Sequence, residues 1–126
     1  MKITITSNKN YINITLHKID FIKVEKILLT MNIDNVSILK DECNKYVFDN
    51  CITTAEFIEY ISNINASIII FDGLVKSCLM DKEVNILVDK KILIDFDFGE
   101  NMTTILINTN NFKISKEEVR KILKNK

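Results

Sequence analysis

Proline is absent from this chain of 126 residues, and glycine occurs only twice, at Gly73 and Gly99. Those two residue types are the usual means of breaking a helix, tightening a turn or loosening a linker. Without them, chain reversals fall to Asn, Asp, Ser and Lys, and helices must be delimited by side-chain caps. A flexible hinge has nothing to be built from, so the expectation is a single domain over residues 1–126 with its own core. The shortage also removes the glycine-rich phosphate cradles, because neither GxxxxGK[ST] nor GxGxxG occurs in the chain.

Helix starts are written in capping chemistry. Thr53 and Glu56 are spaced for a capping box, with Ile52 and Phe57 placed as a hydrophobic staple around it. Ser115 and Glu118 repeat the box, with Ile114 and Val119 as the staple. Asp20 is a third N-cap candidate, flanked by Ile19 and Val24, although Lys23 stands where the reciprocal glutamate would be. Apolar stripes follow each start: Phe21, Val24, Leu28 and Met31 over about 21–31; Phe57, Ile58, Ile61 and Ile64; and Val119, Ile122 and Leu123. Lys116, Arg120, Lys121, Lys124 and Lys126 surround the last stripe, where basic groups favour the helix dipole.

The remainder reads as strand. Ile3 and Ile5, then Ile12, Ile14 and Leu16, alternate on either side of Ser7–Asn10, predicting an opening hairpin. Val36 with Ile38, and Tyr46 with Phe48, suggest two short strands around 40–44. The unbroken run Ile68–Phe71 predicts a strand buried on both faces. Asp72 and Gly73 after it fit a type I′ hairpin, while a short helix over 74–80 with Leu74, Val75, Cys78 and Leu79 on one side is the competing reading. Val84, Ile86 and Val88, then Ile92, Ile94, Phe96 and Phe98, then Ile105 and Ile107 after a turn at 99–102, alternate as a further set. The expected fold is α+β: an antiparallel β-meander sheet with about three α-helices packed on one side, and no βαβ rhythm.

Composition narrows the chemistry. The longest apolar run falls far short of the ~20 residues needed to cross a bilayer, and the N-terminus turns polar too early for a signal peptide. A cytoplasmic protein that makes no membrane contact is expected. Cys43, Cys51 and Cys78 have no CxxC spacing and read as small buried hydrophobes. The formal net charge is zero, and one arginine stands against sixteen lysines. Guanidinium forks to bases or phosphates are therefore nearly absent, which argues against nucleic acid as the partner. Tyr11, Tyr46 and Tyr60 are scattered rather than clustered as a base-stacking platform. His17 is the only histidine and reads as a surface or capping residue, so histidine triads and histidine metal pairs lack their companions.

Two carboxylates stand apart. Asp95 and Asp97 are two apart in a predicted strand and would share a face, as a divalent-cation or acid–base pair would require. A solvated strand face that discourages edge-to-edge association is the plainer account. The wider segment 72–100 holds seven acidic side chains and four lysines, net −3, whereas 101–126 holds six basic and two acidic groups, net +4. Asp81, Glu83, Asp95, Asp97 and Glu100 are accordingly the candidate acidic partner-binding face.

Three functions remain open on these grounds. The favoured one is a non-enzymatic binding protein, with no cofactor, that occludes a protein partner such as a basic nuclease-type toxin or a defence protein. In size and in its isoleucine, asparagine and lysine bias the chain resembles bacterial immunity proteins that neutralise toxins, and small phage anti-defence proteins. The alternatives are a metal-dependent hydrolase using Asp95 and Asp97, and a small-ligand domain holding a metabolite or nucleotide signal between helices and sheet. The oligomeric state is not legible in the sequence.

Overall fold

The computed structural model describes residues 3–29, 37–83, 85–88, 91–95, 101–111 and 113–124. Strands β1 (Ile3–Ser7) and β2 (Tyr11–His17) open the chain, and a 3-10 turn (Lys18–Asp20) leads into α1 (Phe21–Leu29). After β3 (Ile38–Lys40) come α2 (Glu42–Asn50), α3 (Thr54–Asn63), β4 (Ile68–Asp72) and the single turn α4 (Val75–Cys78). Strands β5 (Asn85–Val88), β6 (Lys91–Asp95) and β7 (Met102–Asn108) and helix α5 (Lys116–Lys124) complete it.

The α+β class is correct, but the sheet is not a simple meander. Five strands run in the order β1-β2-β7-β4-β3, with β3 and β4 parallel and the other neighbours antiparallel. Strands β5 and β6 pair only with each other among the described residues, and β7 inserts between β2 and β4 instead of continuing from β6. The physical reason lies in β7 itself. Ile105, Leu106 and Ile107 are all buried, so both faces of that strand must be covered, and a central place in the sheet provides this. The parallel β3–β4 pair, crossed over through α2 and α3, also contradicts the expectation that no βαβ unit is present.

The helices likewise occupy both faces, not one. Ile12, Ile14 and Leu16 of β2, Ile68 and Ile70 of β4, and Ile105 and Ile107 of β7 pack against Val24, Ile27 and Leu28 of α1 and Val119 and Leu123 of α5. Register aligns them into ladders, Ile5–Ile14–Ile105–Ile70 and Ile12–Ile107–Ile68–Ile38, whose β-branched side chains suit the pleated surface. The opposite parity, Tyr11, Ile69, Phe71 and Leu106, meets α2, α3, α4 and the β5–β6 hairpin. Phe57 of α3 stands edge-on to Phe71, with ring centroids 5.5 Å apart.

Among the described residues five α-helices form where about three were expected. Residues 42–50 are helical because Cys43 and Val47, one turn apart, are both buried, while Tyr46 and Phe48, whose alternation suggested a strand, face outward. After Gly73 the short helix prevails over the hairpin. Two predicted starts are as expected. Thr53 Oγ1 accepts from the Glu56 N–H while the Glu56 carboxylate accepts from the Thr53 N–H. Ser115 and Glu118 exchange the same pair of bonds. The third start differs. His17 Nδ1 accepts from the Ile19 N–H, so the lone histidine caps the 3-10 turn. Ile19, expected to staple onto Val24, is 78% exposed.

Candidate functional site

The acidic segment connects two neighbouring strands, and residues 72–83, 85–88 and 91–95 of it are described. It leaves the sheet at the end of β4 and returns at the start of β7, and these two strands are hydrogen-bonded neighbours with Asp72 opposite Thr103. The Gly73 N–H donates to the Met102 carbonyl at 2.9 Å, closing the neck. The Asp72 N–H donates to Asn44 Oδ1 at 2.9 Å, and the Asp72 carboxylate pairs with Lys18 Nζ at 3.3 Å. The backbone of Lys18 donates in turn to the Asn101 carbonyl at 2.7 Å.

Beyond the neck the excursion folds onto the face that carries α2 and α3. Val75 and Leu79 are buried there, and the Met80 N–H donates to the Ile52 carbonyl at 2.9 Å. Ile86 and Ile94, paired across β5 and β6, are fully buried in the same core. Register slips after Ile86, whose partner is Ile94, because Leu87 faces Ile92 and Leu93 is left as a bulge. Helix α5, carrying the basic groups, packs on the opposite face. The sheet therefore separates α5 from Val75, Leu79, Ile86 and Ile94.

The predicted acidic residues divide three ways. Asp81 is engaged structurally: its carboxylate accepts from the Thr54 N–H at 3.0 Å and from the Thr54 hydroxyl, serving an N–H that the helix leaves unpaired in its first turn. Those bonds, the hydroxyl's first, hold the Asp81 carboxyl below the ordinary aspartate range. Glu83 is exposed next to it. The backbone of Asp95 lies in β6 opposite Asn85, while its side chain, Asp97 and Glu100 lie outside the described residues. The Asp95/Asp97 metal pair is thus outside the description, and among the described residues no group of three or more His, Cys, Asp or Glu side chains is placed to hold a metal ion.

Exposed apolar side chains add a feature the sequence reading missed. Phe48 of α2, Met80 just after α4 and Leu87 of β5 are 51%, 65% and 54% exposed, in or next to elements that pack on the α2–α3 side of the sheet. Tyr46 and Tyr60, expected to be scattered, stack in parallel with centroids 3.9 Å apart across α2 and α3. The cysteines differ from one another. Cys43 is buried and its thiol is pushed up to about 12, chiefly by desolvation. Cys78 is half-buried, and Cys51, read as buried, is exposed because it caps α2 in the left-handed conformation.

A concavity lies on the other face. A cleft of about 410 Å³ is lined by Ile3 and Ile5 of β1 and by Arg120, Leu123 and Lys124 of α5. A shallower hollow of about 250 Å³ adjoins it over Glu117, Arg120, Lys121 and Lys124. The cleft sits between helix and sheet, where a small-ligand pocket was one of the expectations. Its lining pairs the two ends of the chain, a juxtaposition that no local sequence pattern encodes. No helix of the described residues is long and apolar enough to cross a membrane. No protein-family model matches the chain, and no curated protein or solved structure is significantly similar to it.

Proposed function

We propose that the protein is a non-enzymatic binding protein that acts by covering a basic surface of another protein, in the manner of a toxin-immunity or anti-defence protein. The observation that supports this reading is that the segment 72–100, net-negative in sequence, lies between neighbouring strands β4 and β7 joined by the Gly73–Met102 bond, with its Val75, Leu79, Ile86 and Ile94 packed across the sheet from basic α5. A face biased to one sign of charge steers an oppositely charged partner and fixes its orientation. Phe48, Met80 and Leu87 supply what charge does not: large apolar groups that become anchors once water is excluded around them. A basic nuclease-type toxin or defence protein fits such a face, and occlusion of its substrate site requires no chemistry from the inhibitor.

The test is affinity capture from the native host, comparing the natural chain with a variant carrying Glu83→Lys, Asp97→Lys and Glu100→Lys. The expected result is a basic protein retained by the natural chain, released by salt above roughly 0.3 M as screening shortens, and not retained by the variant. Capture of the same protein equally by both chains, or of no protein, refutes the reading.

A further inference from the structure

The geometry points to β1 as an open strand edge that accepts an extended acidic peptide, laid between β1 and α5 with its carboxylate on Arg120 and Lys124. Strand β1 ends the sheet order. The Asn8 N–H donates to the Tyr11 carbonyl at 3.0 Å, so Asn8 and Tyr11 form a hydrogen-bonded pair. In an antiparallel ladder such pairs alternate with open ones. Counting back along the register, Thr6 and Thr4 bond to Asn13 and Thr15, and the N–H and C=O of Ile3, Ile5 and Ser7 point away from β2.

Natural sheets guard an exposed row of this kind with charge, proline, a bulge or a cover. The opposite edge is guarded. β3 is three residues long, its Lys40 is paired with Glu25 of α1, and the same ammonium lies 5.3 Å from the Phe21 ring centroid. Among the described residues β1 has none of these devices. Its sequence, Ile-Thr-Ile-Thr-Ser, is uncharged and its register with β2 is unbroken.

The side chains beside this edge define the occupant. On an added strand, residues opposite Ile3 and Ile5 project to the same face, into the cleft floored by Ile3, Ile5 and Leu123. Apolar side chains suit that floor, and Arg120 and Lys124 at its wall call for a carboxylate. A second copy of this chain is a poor occupant: pairing β1 with β1 would bring two sets of Arg120 and Lys124 together with no compensating acid from β1. An acidic strand from a different protein satisfies both the ladder and the charge. This is strand addition, in which backbone bonds give affinity and alternate side chains give specificity.

The probe is a fluorescein-labelled hexapeptide with threonine on one face and two valines flanking a glutamate on the other, titrated against the full chain by fluorescence polarisation. Saturable binding is expected, with slowed amide exchange at Ile3, Ile5 and Ser7 and not at Thr4 or Thr6. Replacing the peptide's glutamate by lysine, or N-methylating its valine and glutamate amides, is expected to weaken binding about tenfold or more. The exposed pair Arg120→Glu and Lys124→Glu is expected to reverse the preference toward the lysine peptide. Equal binding of the N-methylated peptide would show attraction by charge without strand pairing and overturn the proposal. Absence of binding at millimolar peptide, or a concentration-dependent dimer protected at the same three amides, overturns it equally.

Discussion

Among the described residues the β5–β6 hairpin packs on the core through two side chains, so Ile86→Ala is the sharpest perturbation of its placement. Ile86 is fully buried and faces Ile94 across the hairpin, and these two insert into the core shared with α2, α3 and α4. Truncation to alanine removes three carbon groups at about 0.8 kcal/mol each, about 2.4 kcal/mol of transfer free energy. If the hole fails to collapse, roughly 70 Å³ of cavity adds about 1.7 kcal/mol at ~24 cal/mol per Å³. The expected loss is therefore about 2.4 to 4 kcal/mol, read by urea unfolding followed by circular dichroism. Adding Ile94→Ala should cost less than the sum of the single changes, because the two residues empty one shared site. Leu87→Ala, next in sequence but 54% exposed, should change stability by no more than about 0.5 kcal/mol. A loss below about 1 kcal/mol for Ile86→Ala would mean that the hairpin does not pack on the sheet, and the proposed acidic face would fall with it.

Three further outcomes follow from the local chemistry. Asp81 is held below its ordinary range by Thr54, so its contribution is complete above the unfolded value of about 4 and is lost as pH falls through the lower folded value. Asp81→Asn should flatten the stability profile below about pH 4 and leave its slope near pH 7 unchanged, as chemical denaturation across that range would show. Cys51 should react with a disulfide reagent in the native state, whereas Cys43, buried and pushed up to about 12, should stay silent until urea unfolds the chain. Cys51 also holds φ 48° and ψ 66° at the end of α2, a conformation that costs a residue with a Cβ. Cys51→Gly should therefore raise stability by about 0.5–1 kcal/mol in the same urea assay.

What was legible in the sequence was legible for local reasons. The capping boxes at Thr53 and Ser115 involve residues three apart, and the run Ile68–Phe71 declares its own two-sided burial. What was not legible depends on distant partners. Tyr46 and Phe48 alternate like a strand because the helix they belong to buries only Cys43 and Val47, too few residues to display a helical period. The Ile92 and Ile94 alternation is interrupted by a bulge at Leu93 that only the pairing with β5 reveals. Sheet order was misread because β7 follows β6 in the chain but pairs with β2 and β4, a choice made by long-range burial of Ile105, Leu106 and Ile107. The charge asymmetry between 72–100 and 101–126 was visible from the start, whereas the sheet that separates α5 from Val75, Leu79, Ile86 and Ile94 was not.

That separation decides how a chain of zero net charge can present two electrostatic surfaces. Layers packed on a sheet lie about 10 Å from it, which sets the β5–β6 hairpin and basic α5 roughly 20 Å apart. At physiological ionic strength the screening length is about 8 Å, so exposed charges on one face are largely invisible from the other. Overall neutrality then says nothing about what either face attracts. Under the two proposals, a basic partner would meet the segment 72–100 beside Phe48, Met80 and Leu87, and an acidic strand would meet Arg120 and Lys124 beside β1. Because the two proposed surfaces share no residue and lie beyond each other's screening length, occupation of one is expected to leave the other free, so the peptide titration should give the same affinity with and without a protein bound at the other face.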